Sequence, residues 1–333
     1  MSVEGPEVGR LLRRIGRAGF GLSFVRRQMP DWWSAEAEAE PGALVDLKII
    51  LARRLGLDLT SLLEHGNVSL ALPAAVKFKR SVRLAEQQPP EPFLAYCTAI
   101  ARSAAAAMDQ PSKLPAADGE AERAVVLSDG RVRWPSLNAL LRRCWRDLGI
   151  AVVHTIEAPT SGKGFDAASF RIDGRVVIVL AKQASHPAWA LFWLAHELGH
   201  LGLGHVEEGA AIFDETDPSD DADDEEASAN SYALTLLGGK DLAEVLTVGE
   251  ANAPSLASTA LAVGESLEID PGHLILRFAE STGEWDVAQA ALARLSDGSN
   301  VSATVNTLAG RFLDFSAIGD DSRDALKASL GLE

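Results

Sequence analysis

The chain has 333 residues, 47% of them hydrophobic, and a formal net charge of −16 at pH 7. This length and apolar content are typical of a globular protein of two or three domains, while the acidic balance argues against a protein that coats nucleic acid over its whole surface. The two cysteines, Cys97 and Cys144, exclude a disulfide framework and are expected to be buried thiols in a reducing compartment.

The sequence predicts neither a secretion signal nor a membrane span. The arginines near the start of the chain are not followed by the long apolar run that a signal peptide requires. No stretch of about 18 apolar residues lacks charges, so no transmembrane helix is expected. We therefore expect a cytoplasmic protein with no membrane partner.

Charge is unevenly distributed along the chain. Residues 1–83 contain thirteen Lys and Arg against nine Asp and Glu, a net charge of +4, so the remainder carries −20. Apolar spacing in this basic part predicts four or five short helices. Residues 51–63 are similar to the closing helices of Xre-type helix-turn-helix domains.

Two interpretations of this basic region stay open. It is either a DNA-binding domain, or a small helical docking domain whose arginines lie on solvated faces. The arginines that would contact DNA in the first case are Arg13, Arg14, Arg17, Arg26 and Arg27.

Changes in composition predict four regions. Residues 67–83 are expected to be a connector, and residues 111–119, rich in Pro, Ala and Asp, mark a further boundary. The predicted division is a helical, helix-turn-helix-like domain at 1–83, a helical connector at 84–120, a core at 121–240 and a C-terminal helical region at 241–333.

The pattern becomes β-rich in the predicted core. Asp173-Gly174 stands between two β-rich runs, which predicts a β-hairpin. The predicted class is therefore α+β, with a small mixed or antiparallel sheet flanked by N-terminal and C-terminal helical regions. The predicted elements before the next motif are strands at 124–127 and 150–156, a helix at 137–148, and hairpin strands at 165–172 and 175–180.

A His-Glu-x-x-His motif follows the hairpin, within an apolar helix that Pro187 opens. Residues i and i+4 lie on one face of a helix, so His196 and His200 can direct imidazole nitrogens at one ion. Glu197 lies about 100° further round, where a general base for a zinc-bound water is needed. The alternative is an ordinary pair of helical histidines.

The order helix, strand, hairpin, motif helix is typical of zinc-dependent peptidases. A sheet edge beside the motif helix can pair with an extended substrate backbone. We therefore expect the sheet to pack on a zincin-like active-site helix, with the hairpin edge presented to the substrate.

A zinc site of this kind needs a third protein ligand. His205 lies five residues beyond His200, one short of the metzincin register, so it is the weaker choice. Most of the acidic residues between 207 and 226 are expected to form a solvated loop. Glu226 instead heads a narrow small-to-apolar helical stripe, which favours a ligand role over a charge that merely stabilises a helix N-terminus.

Two further residues are weighed as supporting groups. Asn230, one turn after Glu226, could orient that carboxylate or a ligand histidine. His154, on a predicted strand, could stabilise an oxyanion, although an ordinary structural role is the simpler interpretation. The mostly helical region at 240–333 shows no chemistry of its own, and His273 there is expected to be structural.

Residues 192–205, followed about twenty residues later by Glu-x-x-Ala-Asn-x-Tyr-Ala-x-x-Leu-Leu, resemble the ImmA/IrrE family of metallopeptidases. A weaker resemblance extends to residues 269–277. Gly238-Gly239 departs from the family, which often has a proline there. The resemblance implies one Zn²⁺ held by His196, His200 and Glu226, with Glu197 as the catalytic base.

The same resemblance implies a zinc endopeptidase that cleaves a regulatory protein, an Xre-type DNA-binding repressor. The alternative is a DNA-binding transcription regulator or antitoxin-like protein whose metal core is structural or sensory. A scaffolding protein that interacts through its terminal helices is a third interpretation.

Overall fold

The structure, a computed structural model, describes residues 5–34, 36–79, 91–160, 165–214, 223–239, 252–296 and 298–332. Predictions that concern residues 80–90, the acidic residues 215–222 and residues 240–251 lie outside this described part. Within it, the chain is an α+β protein with helices around one small mixed sheet, as the sequence predicts.

The sheet has five strands in the order β1-β5-β3-β4-β2. Strand β3 is antiparallel to both of its neighbours, whereas the β1–β5 and β2–β4 pairs are parallel. The strands are β1 (Ala75–Lys79), β2 (Ala151–His154), β3 (Ala167–Ile172), β4 (Arg175–Leu180) and β5 (Ala210–Asp214).

The predicted hairpin is confirmed. Strands β3 and β4 pair through a two-residue turn, in which Asp173 has a φ of 51° and Gly174 a φ of 73°. Both angles lie in the left-handed region that the tightest hairpin turns require, and Asp-Gly adopts it readily.

The prediction of a free hairpin edge is wrong. Strand β3 lies between β5 and β4, and β4 lies between β3 and β2, so both hairpin strands are paired on both sides. At the β2 end, the Asn306 side chain accepts from the His154 backbone N–H at 2.8 Å and donates to its carbonyl at 2.7 Å. The sheet has two edge strands, β1 and β2. Asn306 covers part of the outer edge of β2, whereas no such contact covers the outer edge of β1 among the described residues.

Two further local predictions are corrected. Residues 124–127 end a helix rather than forming a strand, because Glu122 and Val126, at i and i+4, are the buried side chains. The predicted connector at 67–83 contains β1, which supplies an edge strand of the sheet through its pairing with β5.

Helices make up most of the described chain. A π-helical segment, Arg143–Leu148, extends α7. No helix among the described residues combines the length and apolar character that a membrane span requires. The helices are α1 (Pro6–Arg17), α2 (Leu22–Arg27), α3 (Ala43–Leu55), α4 (Leu59–Leu63), α5 (Glu91–Ala106), α6 (Gly119–Leu127), α7 (Leu137–Arg142), α8 (Pro187–Gly202), α9 (Asp224–Gly238), α10 (Ala253–Leu267), α11 (Pro271–Thr282), α12 (Trp285–Leu295), α13 (Val301–Phe312) and α14 (Asp320–Leu330).

The two faces of the sheet belong to two hydrophobic clusters. Val177 and Val179 face a cluster that includes α1, α3, α5 and α14, whereas Val176, Ile178 and Leu180 face α7, α8 and α9. This alternation follows from the two-residue period of a strand. The N-terminal helices therefore share one hydrophobic core with the sheet.

Candidate metal centre

Helix α8 positions the His-Glu-x-x-His motif at the centre of the molecule. Pro187 occupies the first helical turn, and the His186 ring accepts a hydrogen bond from the Ala188 backbone N–H at 3.2 Å, which caps the helix. The apolar residues around the motif are buried between the sheet and α9, so His196, Glu197 and His200 are themselves buried.

The two motif histidines point at the same place. His196 Nε2 and His200 Nε2 are 3.0 Å apart, which follows from their i, i+4 positions on one helix face. When both imidazoles are neutral, a single cation placed between the two Nε2 atoms can be bound by both rings.

Helix α9 brings Glu226 to this position. Asp223 caps the helix by accepting from the Glu226 backbone N–H at 2.9 Å. Glu226 Oε1 is 3.2 Å from His196 Nε2, and Oε2 is 3.4 Å from His200 Nε2. The sequence prediction that Glu226 joins the two histidines agrees with this geometry.

Gly199 allows α9 to approach α8 closely. A Cβ atom at this position would lie 3.0 Å from the Ala229 carbonyl oxygen and 3.2 Å from the Ala229 Cα atom. Since these are backbone atoms, they cannot move without shifting the whole of α9, and Glu226 with it.

Replacing Gly199 by valine is therefore expected to lower the free energy of unfolding by about 1–3 kcal/mol, through overpacking, and to weaken metal binding. Denaturant titration and chelator competition measure the two effects. The matched control is Gly9→Ala in α1, where a Cβ would meet only the Arg13 guanidinium at 3.4 Å. This control should raise stability by up to about 1 kcal/mol, as expected for an unobstructed helical glycine. A fully stable Gly199→Val variant would contradict the close-packing argument.

Asp214 is a fourth member of the cluster, and the sequence reasoning missed it. Its Oδ2 atom lies 3.5 Å from His200 Nε2 and 3.9 Å from His196 Nε2, and its side chain is 1% exposed. Asp214 ends β5 on the same face as Ile212, which packs toward α8. The apolar run Ala210–Phe213 before Asp214 was the available signal, but it was obscured by the acidic residues around it.

The donor set fits a metal ion. An ion bound tetrahedrally at about 2.0–2.1 Å would separate its ligand atoms by about 3.3 Å. The contacts among the cluster atoms run from 3.0 to 3.9 Å, and all four ligand atoms lie within 4.8 Å of one another. The Glu226 and Asp214 carboxylates are both buried beside the two imidazoles, and two buried negative charges so close together are costly unless a cation compensates for them.

The candidate ligands shift one another's pKa values. Burial tends to raise the pKa of Glu226, but hydrogen bonds and charge from His196 and His200 outweigh it and hold that pKa well below its usual range. Burial tends to lower the pKa of His196, yet Glu226 raises it overall. Burial lowers the pKa of His200 to about 4, so this imidazole is neutral near pH 7 and suited to metal binding.

Glu197 lies beside the cluster rather than within it. Its Oε2 atom accepts a 2.5 Å hydrogen bond from Ser169 Oγ on β3, and its side chain also interacts with Asp214. Burial raises the pKa of Glu197 to about 7, which is the range in which a carboxylate can both accept and return a proton.

His205 does not join the ligands but contacts one of them. His205 Nδ1 is 2.9 Å from His200 Nδ1, on the side of the ring away from the cluster. The Lys77 ammonium on β1 donates to the His205 carbonyl at 3.1 Å and also binds Glu225. If His200 Nδ1 carries the proton, its Nε2 is left free for the metal, so His205 helps to fix the useful tautomer.

Replacing His205 by alanine is expected to weaken zinc binding by about 10–100-fold, as typical for the loss of a hydrogen-bond partner of a ligand histidine. Competition with a chelator of known affinity measures this. The conservative variant His205→Asn, which keeps an acceptor, should recover part of the affinity. Unchanged affinity in His205→Ala would show that the 2.9 Å contact does not orient His200.

The other predicted supporting residues lie in different places. Asn230 interacts with His196 and helps to raise its pKa, although its Oδ1 lacks good hydrogen-bond geometry. His154 is buried on β2, where its Nε2 contacts the Lys182 carbonyl at 2.9 Å. His154 is outside the cluster of potential metal ligands, and β4 separates its strand from β3. The supporting role predicted for Asn230 stays a prediction, and His154 lies too far along the sheet order to share the cluster.

The predicted DNA-contacting arginines divide into two groups. Arg14 donates to the carbonyls of Ser61 at 2.8 Å and Gly66 at 2.9 Å, and so caps the end of α4. Arg27 donates to Glu157 at 3.1 Å. The other three, Arg13, Arg17 and Arg26, have exposed side chains.

No protein-family model matches this chain, and a search among curated proteins likewise gives no match. The resemblance to the ImmA/IrrE family therefore stays a prediction that rests on the motif residues themselves.

Proposed function

We propose that this protein is a zinc-dependent peptidase. The observation that carries the proposal is the convergence of His196, His200 and Glu226 on one position, with Glu197 beside it on the same helix. Two histidines, one glutamate and an adjacent buried glutamate form a set that combines metal binding with proton transfer.

The donor atoms favour zinc. Imidazole nitrogen and carboxylate oxygen are both good zinc ligands, and two histidines with one glutamate are a known catalytic combination. Zinc, when bound there, would lower the pKa of a coordinated water to about 7 and polarise a substrate carbonyl.

The residues of this chain supply the proton transfers. Glu197 accepts the proton of the attacking water and donates it to the leaving amine of the cleaved peptide bond. Ser169 donates a 2.5 Å hydrogen bond to Glu197 Oε2, which holds the carboxylate in position beside the cluster. Burial keeps the Glu197 pKa near 7, and a cation alongside would lower it, so the carboxylate form is available at neutral pH.

The surrounding fold supports a zincin-like arrangement, in which the motif helix packs on one face of a mixed sheet. An extended substrate would have to pair with β1, because both hairpin strands are covered. The motif resemblance to ImmA/IrrE peptidases suggests that the substrate is a DNA-binding repressor of the Xre type.

The experiment that tests this proposal is a cleavage assay with the full-length, zinc-loaded chain and an Xre-type repressor. We expect new termini, mapped by mass spectrometry, that are absent when the zinc has been removed with a chelator. Repressor that stays intact with the zinc-loaded protein would contradict the proposed substrate class. A parallel assay with an unstructured peptide library separates this result from a lack of peptidase activity altogether.

A second candidate function is a DNA-binding regulator whose metal core is structural or sensory. Asp214 favours it, because four protein donors around one ion are typical of structural zinc sites. The exposed arginines Arg13, Arg17 and Arg26 would then contact phosphates. DNA binding with a steep salt dependence, altered by zinc removal and without proteolysis, would support this function over the peptidase.

A further inference from the structure

Asp214 brings a second carboxylate to the cluster, beside both motif histidines. Glu226 and the two histidines account for three corners of a tetrahedral site, and in catalytic zinc sites the fourth corner holds a water. The Asp214 Oδ2 distances to the histidines, 3.5 and 3.9 Å, are only slightly longer than the 3.2 and 3.4 Å of the Glu226 oxygens. A shift of a few tenths of an ångström would place Asp214 in the coordination sphere.

The backbone holds Asp214 in this place. Residue 214 pairs with Lys79 of β1 on one side and with Ala167 of β3 on the other. Its carbonyl also accepts from the Asp166 backbone N–H at 2.8 Å. Strand geometry directs its side chain to the α8 face, so the carboxylate is not a surface group that reaches the cluster by chance.

We propose that Asp214 is the fourth protein ligand of the metal, which closes the site until this carboxylate withdraws. The inference rests on the metal site proposed above and concerns its resting state. A water or a substrate carbonyl can reach the ion only after Asp214 has left its corner. The folded chain would therefore be a latent enzyme, with the sheet strand β5 carrying the blocking group.

Cobalt(II) in place of zinc tests the proposal without relying on activity. Its visible absorption bands report the coordination sphere, and azide binds only at an open corner. We expect the bands of the full-length wild-type protein to resist azide, and those of Asp214→Ala to shift with at least tenfold tighter azide binding. Asp214→Asn, which keeps the shape of the side chain, provides the same comparison if the alanine variant is unstable.

The control is Asp166→Asn, which removes another buried carboxylate, one that directly precedes β3 and pairs with Lys182 at 2.7 Å. Its cobalt bands should resist azide as those of the wild type do. Wild-type bands that shift with azide as readily as those of the Asp214 variants would overturn the proposal, because the corner would already be open. Failure of the wild-type chain to bind cobalt or zinc would instead overturn the metal site and the proposed function together.

Discussion

Replacing Glu197 by glutamine is expected to lower the rate of peptide cleavage by about 10²–10⁴-fold, with the zinc content unchanged at one ion per chain. Glutamine keeps the size of the side chain and can still contact Ser169, so α8 should retain its packing. It cannot accept the proton of the attacking water. Steady-state kinetics and metal analysis of the same preparation measure the two quantities together.

The matched control for this prediction is Glu265→Gln on α10. Glu265 is exposed, pairs with Arg133 at 3.0 Å and lies outside the cluster, so its loss should leave the cleavage rate at the wild-type level. A Glu197→Gln variant that cleaves as fast as the wild type would exclude Glu197 as the base. A variant that also loses its zinc would show that Glu197 contributes to the metal site itself.

Replacing His200 by alanine is expected to weaken zinc binding by at least about 100-fold and to remove most of the stabilisation that zinc gives the fold. His200 contributes one of two nitrogen donors, and its Nε2 lies within 3.5 Å of His196, Glu226 and Asp214. At free zinc of about 100 times the wild-type dissociation constant, zinc should stabilise the wild type by about 2.7 kcal/mol. The difference between unfolding with zinc and with a chelator measures this contribution.

At the same free zinc, the His200→Ala variant should keep at most about 0.4 kcal/mol of this stabilisation, so its unfolding curves with zinc and with chelator should nearly coincide. The control is His65→Ala, since His65 is exposed and lies outside the cluster. It should keep the full zinc-dependent stabilisation of the wild type. A chelator that leaves the wild-type unfolding curve unchanged would contradict metal binding by the folded chain.

Local patterns were sufficient to predict much of the fold and part of the site. The motif helix, the Asp-Gly hairpin and the α9 position of Glu226 depend on neighbours within a few residues, through helix periodicity, turn chemistry and capping. The spacing of the His-Glu-x-x-His motif alone predicts that His196, Glu197 and His200 lie together on one helix. For these residues the geometry agrees with the prediction.

Asp214 could not be recognised in the same way, because its burial depends on residues distant in the sequence. It faces α8 only because β5 pairs with both β1 and β3, and the composition of the β1 region indicates a connector rather than a strand. For the same reason, the sequence did not reveal that both hairpin strands are paired on both sides. Strand order is set by non-local pairing, and a short apolar run inside an acidic stretch does not reveal it.

The strand predicted at 124–127 failed for a different reason. A run of Ala-Val-Val-Leu favours a strand by residue type, but the buried side chains, Glu122 and Val126, are spaced as on a helix. Glu122 is buried because Arg143 pairs with it at 2.7 Å, a contact across 21 positions that propensity does not include.

X-ray absorption at the zinc edge, on the full-length protein purified with zinc, tests the central claim most directly. We predict one zinc per chain with a first shell of nitrogen and oxygen at about 2.0–2.1 Å and the outer scattering of two imidazoles. A chain that retains no stoichiometric zinc would contradict the account. So would a sulfur shell at about 2.3 Å, because it would assign the metal to Cys97 or Cys144 rather than to His196, His200 and Glu226.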